Sequence, residues 1–251
     1  MSDHIKTSTE NGVLRIRLAR EDKKNALTID MYEALVAAFS RAEDTPDIRV
    51  IMLEGGDEIF TAGNDLKAFA TGLLGDGSDK KPPVLEWIEA VATAKKPVIA
   101  AVSGPAIGIG ATILLHCDLV YADPSAYLHM PFTDLATVPE AGASYILPRR
   151  FGRQIAAEFF LLCEKVSAQR AYDMGIVNAV ITDGPVRDHA VKIAERIAQK
   201  PPQAIAMTKA LMTVDVDDMK AHIGVEAEQF ASRLQSPEMQ QVIMAMMSKK
   251  S

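Results

Sequence analysis

The chain has 251 residues, 48% of them hydrophobic and 24% charged, enough to bury one large core without disulfide or metal staples. Two cysteines, Cys117 and Cys163, exclude a disulfide framework, and no apolar run reaches the ~18 residues that a membrane span needs. The net charge of −6 argues against nucleic acid as the main partner, and a polar N-terminus without a signal-type apolar stretch makes a cytoplasmic protein the default expectation.

Residues 5–9 and 13–18 flank Asn11-Gly12, a pair that tolerates the positive φ angles of a tight hairpin turn. A polar loop over 19–26 carries Arg20, Lys23 and Lys24. Thr28 is placed to cap a helix whose apolar stripe is Met31, Leu35, Ala38 and Phe39. A strand is predicted over 50–53, closed by Gly55-Gly56. Residues 60–63 lead into a turn, with Asp65 placed to cap a following helix. The 71–83 stretch, rich in Gly, Asp, Lys and Pro, reads as a mobile loop.

A helix over 84–94 ends before Lys96-Pro97. Residues 96–118 (KPVIAAVSGPAIGIGATILLHCD) then form the most informative stretch of the chain. It contains a buried strand over 98–102, a loop with Gly104, Gly108 and Gly110, and an apolar run over 111–117 that reads as a helix or buried segment. The glycines let backbone approach something closely, since no Cβ intervenes. Short strands are predicted over 119–122 and 126–130. Helices follow from 141, over 154–162, and from a Ser167 cap to Met174, where Gly175 ends the last. From 185 to 248 the reading is all helix, broken at Pro201-Pro202 and Ser236-Pro237. Met239, Val242, Ile243, Met244, Met246 and Met247 put apolar groups on more than one face, which suits either core packing or a subunit contact. The pattern is an α/β core over 1–185 with a helical region over 186–251 in the same functional unit.

The glycine loop is neither a P-loop nor a dinucleotide fingerprint, because no Gly-Lys-Ser/Thr follows and the spacing of Gly104, Gly108 and Gly110 is wrong. The five histidines lack metal-ligand spacing, and there is no Gly-x-Ser-x-Gly elbow. Two features remain. The stretch 60–66 (FTAGNDL), like 103–111, puts small residues at a strand end before a helix. These are either two ordinary turns or two sets of exposed N–H groups that converge on an oxygen anion. Glu140, in Val138-Pro139-Glu140-Ala141-Gly142, is either a first-turn helix residue or a carboxylate in a dry pocket, tuned to act as a base.

At these residues the sequence resembles the crotonase superfamily of enoyl-CoA hydratases and isomerases. The resemblance runs from 14–27 (LRIRLAREDKKNAL) through SGPAIGIGATILLHCDLVYAD to 168–180 (AQRAYDMGIVNAV) and covers essentially the whole chain. It implies a spiral of β-β-α repeats, with C-terminal helices used for assembly into a homotrimer, singly or as a dimer of trimers. It implies a coenzyme A thioester substrate, with no metal and no cofactor beyond the coenzyme A of the substrate. By motif position, the N–H groups of Asn64 and Ile109 form the oxyanion hole. Ala62, Gly63, Asp65, Leu66 and Gly108 flank them. Lys23, Lys24, Ala26 and Leu27 match the segment beside the coenzyme, and Lys67 is a weaker phosphate contact.

Departures from the family pattern carry the most information. The two glutamates with which the family's hydratases activate water are Thr112 and Phe132 here. Phe132 is then expected to help exclude water. The isomerase branch uses one glutamate a few residues later, and that position is Glu140. The resemblance therefore implies a 3-enoyl-CoA to 2-trans-enoyl-CoA isomerase. Hydration or another reaction of an acyl-CoA, or acyl-CoA binding without turnover, are the alternatives.

Overall fold

The computed structural model describes residues 2–65 and 80–248. Residues 66–79, which include most of the loop expected over 71–83, lie outside the described residues, as do Lys249 and Lys250. Six strands line up as β1 (Ile5–Glu10), β2 (Val13–Leu18), β3 (Val50–Glu54), β4 (Val98–Val102), β6 (Leu119–Ala122) and β9 (Ala179–Val180). The β1–β2 hairpin is antiparallel and the other neighbours are parallel. Asn11 and Gly12 both take positive φ, as a primed hairpin turn requires. A second mixed sheet joins β5 (Pro105–Ile107), β7 (Tyr127–His129) and β8 (Val166–Ser167).

Strand periodicity divides the core in two. Ile51 and Leu53 of β3, with Val98, Ala100 and Val102 of β4, face the large core shared with the helices Ile29–Asp44 and Pro83–Ala92. Val50, Met52, Ile99 and Ala101 face the other way, against the helix Val186–Ala198. That helix meets the sheet through Val186, Ala190, Ala194 and Ala198, a four-residue repeat of small side chains. Because both faces are covered, β4 is an unbroken apolar run, and so is β3 up to its last residue, Glu54, rather than either being alternating.

Three local expectations change. The 111–117 run becomes an α turn, Ile109–Thr112, continued by a 3-10 turn, Ile113–His116. The helix expected from 141 begins at Ala143 (Ala143–Phe151). The C-terminal helices also break at 213–215, where Asp215 has φ +59, separating Pro202–Met212 from Val216–Leu234. In addition, Thr28 does not cap the first helix with its side chain; its hydroxyl bonds Asp30 instead. No described helix is long and apolar enough to cross a membrane.

Candidate active site

Two turns are pressed together by backbone pairing. Leu27 bridges to Asn64 and Thr61 bridges to Ala106. The Leu27 N–H donates to Gly63 O at 2.8 Å, and the Asp65 N–H donates to Leu27 O at 2.9 Å. In such a parallel bridge the amide of Asn64 itself points away from Leu27. On the other turn, the Ile107 N–H donates to Thr61 O at 3.0 Å and the Gly108 N–H to His129 O at 2.9 Å. Ile109 opens the helical turn Ile109–Thr112, so its N–H has no acceptor within that turn. Among the described residues, neither the Asn64 nor the Ile109 N–H has a backbone acceptor.

The glycines here have different jobs. A Cβ on Gly63 would lie 2.8 Å from Ile107 O, and one on Gly110 would lie 2.2 Å from Thr61 Cγ2. What these two glycines let the backbone approach is the opposite turn. Gly108 has no atom within 4 Å of where its Cβ would be; its φ of +55 and ψ of −122 are what require glycine.

Glu140 lies before the helix Ala143–Phe151, in a turn where Ala141 and Gly142 have φ of +57 and +72. It is thus not a first-turn helix residue. Distant side chains hold the turn. Glu226, on the helix Val216–Leu234, accepts from the Gly142 N–H, from the Ser144 N–H at 2.9 Å and from the Ser144 hydroxyl. His116 Nε2 lies 2.6 Å from Ala141 O, which can only accept, so Nε2 carries the hydrogen. Burial pushes His116 down to about 4 and keeps it neutral.

Glu140 is buried, 9% exposed, and its Oε1 accepts from the Thr112 hydroxyl at 2.6 Å. Desolvation pushes its pKa up to about 8; the Thr112 hydrogen bond opposes this rise and the Glu226 charge adds to it. Tyr32, fully buried, donates to Asn64 Oδ1. Burial, and secondarily the Glu140 charge, hold its pKa well above 10. Asn64 and Glu140 line one pocket together with Val84, Ile88, Ile223 and Phe230. That apolar lining is the source of the desolvation. Among the described residues, no group of three His, Cys, Asp or Glu side chains gathers as a metal site would require.

The 23–27 segment runs along the first turn. Lys24 O accepts the Ala62 N–H at 2.9 Å, and Arg20 donates both to Ala26 O at 2.8 Å and to Asp65 at 2.7 Å. The Lys23 side chain is exposed, whereas Leu27 is fully buried and meets the turn through its backbone. Asp65 is thereby tied to Arg20. Leu66 and Lys67 lie outside the described residues. Phe132 packs in the core with its ring 6.4 Å from Phe160 and is not among the described residues that line the pocket with Glu140. The described apolar residues that line the pocket with Glu140 come mostly from the helices Pro83–Ala92 and Val216–Leu234.

Several residues that shape the site carried no clear sequence signal. Asn25, fully buried with φ +53, accepts the Arg20 N–H and donates to Ile59 O and Phe60 O. Its position inside the Asn25-Ala26-Leu27 motif was its one clue. Tyr32 and Glu226 are single residues within helical patterns, and their partners lie far away in the chain; Thr112 is marked by its motif position, but its contact with Glu140 is not.

The sequence profile of the family described as enoyl-CoA hydratase/isomerase matches residues 8–251. Enoyl-CoA delta isomerase 2 of Rattus norvegicus is 33% identical over 214 residues, 84% of this chain and 54% of the rat protein, so the chain spans about half the length of that relative. The 1,2-epoxyphenylacetyl-CoA isomerase of Escherichia coli (strain K12) is 28% identical over 256 residues, 100% of this chain and 98% of the other. Among solved structures, Pseudomonas aeruginosa OdaA shares 41% identity and a TM-score of 0.93, covering 98% of this chain and 99% of that one.

Proposed function

This chain belongs to the enoyl-CoA hydratase/isomerase (crotonase) family, and from that membership we propose that it shifts the double bond of a 3-enoyl-CoA to give the 2-trans-enoyl-CoA. The observation that carries the reading is Glu140, the one carboxylate among the described residues that line the pocket with Asn64, buried and with its pKa pushed up to about 8. Both positions where the resemblance expects hydratase glutamates hold side chains that cannot work as carboxylates, Thr112 and Phe132.

In this reading, ionised Glu140 takes a proton from C2 of the substrate. Negative charge builds on the thioester oxygen, which the N–H groups of Asn64 and Ile109 hold. Each donor contributes about 3 kcal/mol in a preorganised site of this kind. The charge is delocalised toward C4, and the protonated Glu140 returns its proton there. A carboxyl with a pKa near 8 suits both steps: it is a stronger base than an exposed glutamate and still an effective acid near neutrality. The two carbons are two bonds apart, so one carboxylate serves both. The apolar lining from Val84, Ile88, Ile223 and Phe230 suits an uncharged acyl chain. The segment of Lys23, Lys24, Ala26 and Leu27 would lie along the coenzyme. Both named relatives are isomerases of coenzyme A thioesters by name, which supports this reading over hydration.

We also infer assembly as a homotrimer, singly or as a dimer of trimers. In support, Leu211 is 80% exposed, and Met207, Met212 and Val214 are similarly open on and beside the helix Pro202–Met212. Light scattering on the purified protein reads the mass directly; a monomer overturns this inference.

The test of function is one assay with purified protein. 3-cis- and 3-trans-enoyl-CoA of several chain lengths are supplied, and 2-trans-enoyl-CoA separately. The expected result is conversion of the 3-enoyl substrates at unchanged mass, with the absorbance of a conjugated thioester appearing. Consumption of 2-trans-enoyl-CoA with the gain of one water, and no double-bond shift, overturns the proposal in favour of hydration.

A further inference from the structure

Thr112 is fully buried on the same short helical turn that presents Ile109. Its hydroxyl has one hydrogen to give. The usual backbone acceptors for a helical threonine, Gly108 O and Ile109 O, are each 3.4 Å away, whereas Glu140 Oε1 is at 2.6 Å. The hydrogen therefore goes to the carboxylate. Among the described residues, Oε2 of Glu140 takes no hydrogen bond, so the two oxygens of the base are inequivalent. Residues 109 and 112 are three apart on a helical turn and lie on one face of it.

We propose that Thr112 is a positioning residue that anchors Oε1 of Glu140 and leaves Oε2 as the one proton carrier, so that a single helical turn sets both the Ile109 amide and the base in register. This rests on the isomerase reading for its chemistry but not for its geometry. The same rigid turn then fixes how far the reacting C2–C4 segment lies from the thioester oxygen. Loss of the anchor frees the carboxyl to rotate without disturbing the amides. The other ionisable groups near Glu140 among the described residues are Tyr32 on the helix Ile29–Asp44, Glu226 on the helix Val216–Leu234, and His116 behind the Ala141 carbonyl. None of them changes between wild type and a Thr112 variant, so a difference between the two reports the hydroxyl alone.

The experiment compares Thr112→Val, which keeps the shape and removes the hydroxyl, with Thr112→Ser, which keeps the hydroxyl. Titration of 13C-labelled glutamate carboxyls in the free protein is expected to show Glu140 moving to higher pH in T112V and staying near wild type in T112S. A hydroxyl donated to a carboxylate stabilises the charged form, which gives the direction. With 3-enoyl-CoA, T112V is expected to lose kcat by about tenfold or more, with KM within about twofold, and the acid limb of kcat/KM moves up with the titration. T112S recovers both. An unchanged Glu140 titration in T112V overturns the proposal, and so does equal impairment of the Val and Ser variants, since that is the behaviour of a packing residue. A wild-type protein that isomerises no 3-enoyl-CoA overturns the isomerase reading, while the titration still decides the anchor.

Discussion

The turns at 61–65 and 107–110 are joined to each other and to the 24–27 segment chiefly by main chain, through two isolated bridges, a set of amide-to-carbonyl bonds and two glycines in close approach, with side-chain bonds to Asn64 and Asp65 added. The turn that carries Glu140 is held by side chains from elsewhere, with Glu226 reaching it from 84 residues away and His116 from 25. The two sides of one pocket therefore differ in what they depend on. A backbone donor survives a change of its own side chain but not a change in φ and ψ. A carboxylate held by side chains is sensitive to single residues far away in the sequence, and the positive φ of Ala141 gives its turn little local support of its own.

The sharpest break is Glu140→Gln. On the isomerase reading, turnover falls by about 10³-fold or more, at the upper end of what one acid–base group contributes. The same variant is expected to be more stable at alkaline pH. The folded pKa of Glu140, about 8, lies above the ordinary 4.5. Below pH 4.5 both folded and unfolded forms are protonated. As pH rises toward 8 the unfolded chain releases the proton first, so wild-type stability falls through that window, by about a few kcal/mol in all. Melting curves of both proteins from pH 5 to 9 measure the widening gap; a constant gap would mean that Glu140 is not the perturbed group. In the wild type, kcat/KM should rise with pH and level off above about 8.

Next comes Gly108→Ala. No atom blocks the new methyl, but the backbone angles are nearly exclusive to glycine, at a cost of about 1–3 kcal/mol. Relaxation turns the Ile109 N–H, and kcat is expected to fall by about 10²-fold, the effect of losing one oxyanion donor. Retained kcat would remove Ile109 from the anion hole.

Glu226→Ala tests the other side. Three donors lose their acceptor, which is expected to destabilise the protein by about 1–3 kcal/mol and to lower kcat about tenfold. Binding of a saturated acyl-CoA, measured by calorimetry, should change little, because the amide turns are untouched. Equal loss of binding and turnover would mean that the two sides are mechanically one. The smallest effect is expected for Asn64→Ala, about threefold in kcat, since the amide remains and only the contact with Tyr32 is lost. A loss as large as that of Gly108→Ala would assign the anion to the side chain instead.

Much of this arrangement is legible in the sequence. The Asn11-Gly12 hairpin, the buried runs of β3 and β4, the Ser167 cap and the long C-terminal helices follow from local rules, and the structure has them close to where those rules put them. Ser167 accepts the Arg170 N–H as a cap should. Strand β5 has no local signal, because three residues beginning with proline, between glycines, are a strand only by pairing with β7 and neighbouring Thr61. The break at 213–215 has neither glycine nor proline to announce it.

By itself, the sequence determined the fold class, the family motifs, and which few residues could hold an oxygen anion or act as a base. Those properties are local: turn angles, apolar periodicity and residue type at a motif position. Tertiary structure decided that Gly63 packs on Ile107 and Gly110 on Thr61 across the two turns, that Glu140 stands outside its helix, and that Thr112 meets it while Phe132 stays in the core. Burial and hydrogen-bond partnership belong to pairs of residues that folding brings together. The pKa that makes Glu140 a base near neutral pH exists only once the helices Pro83–Ala92 and Val216–Leu234 have closed over it.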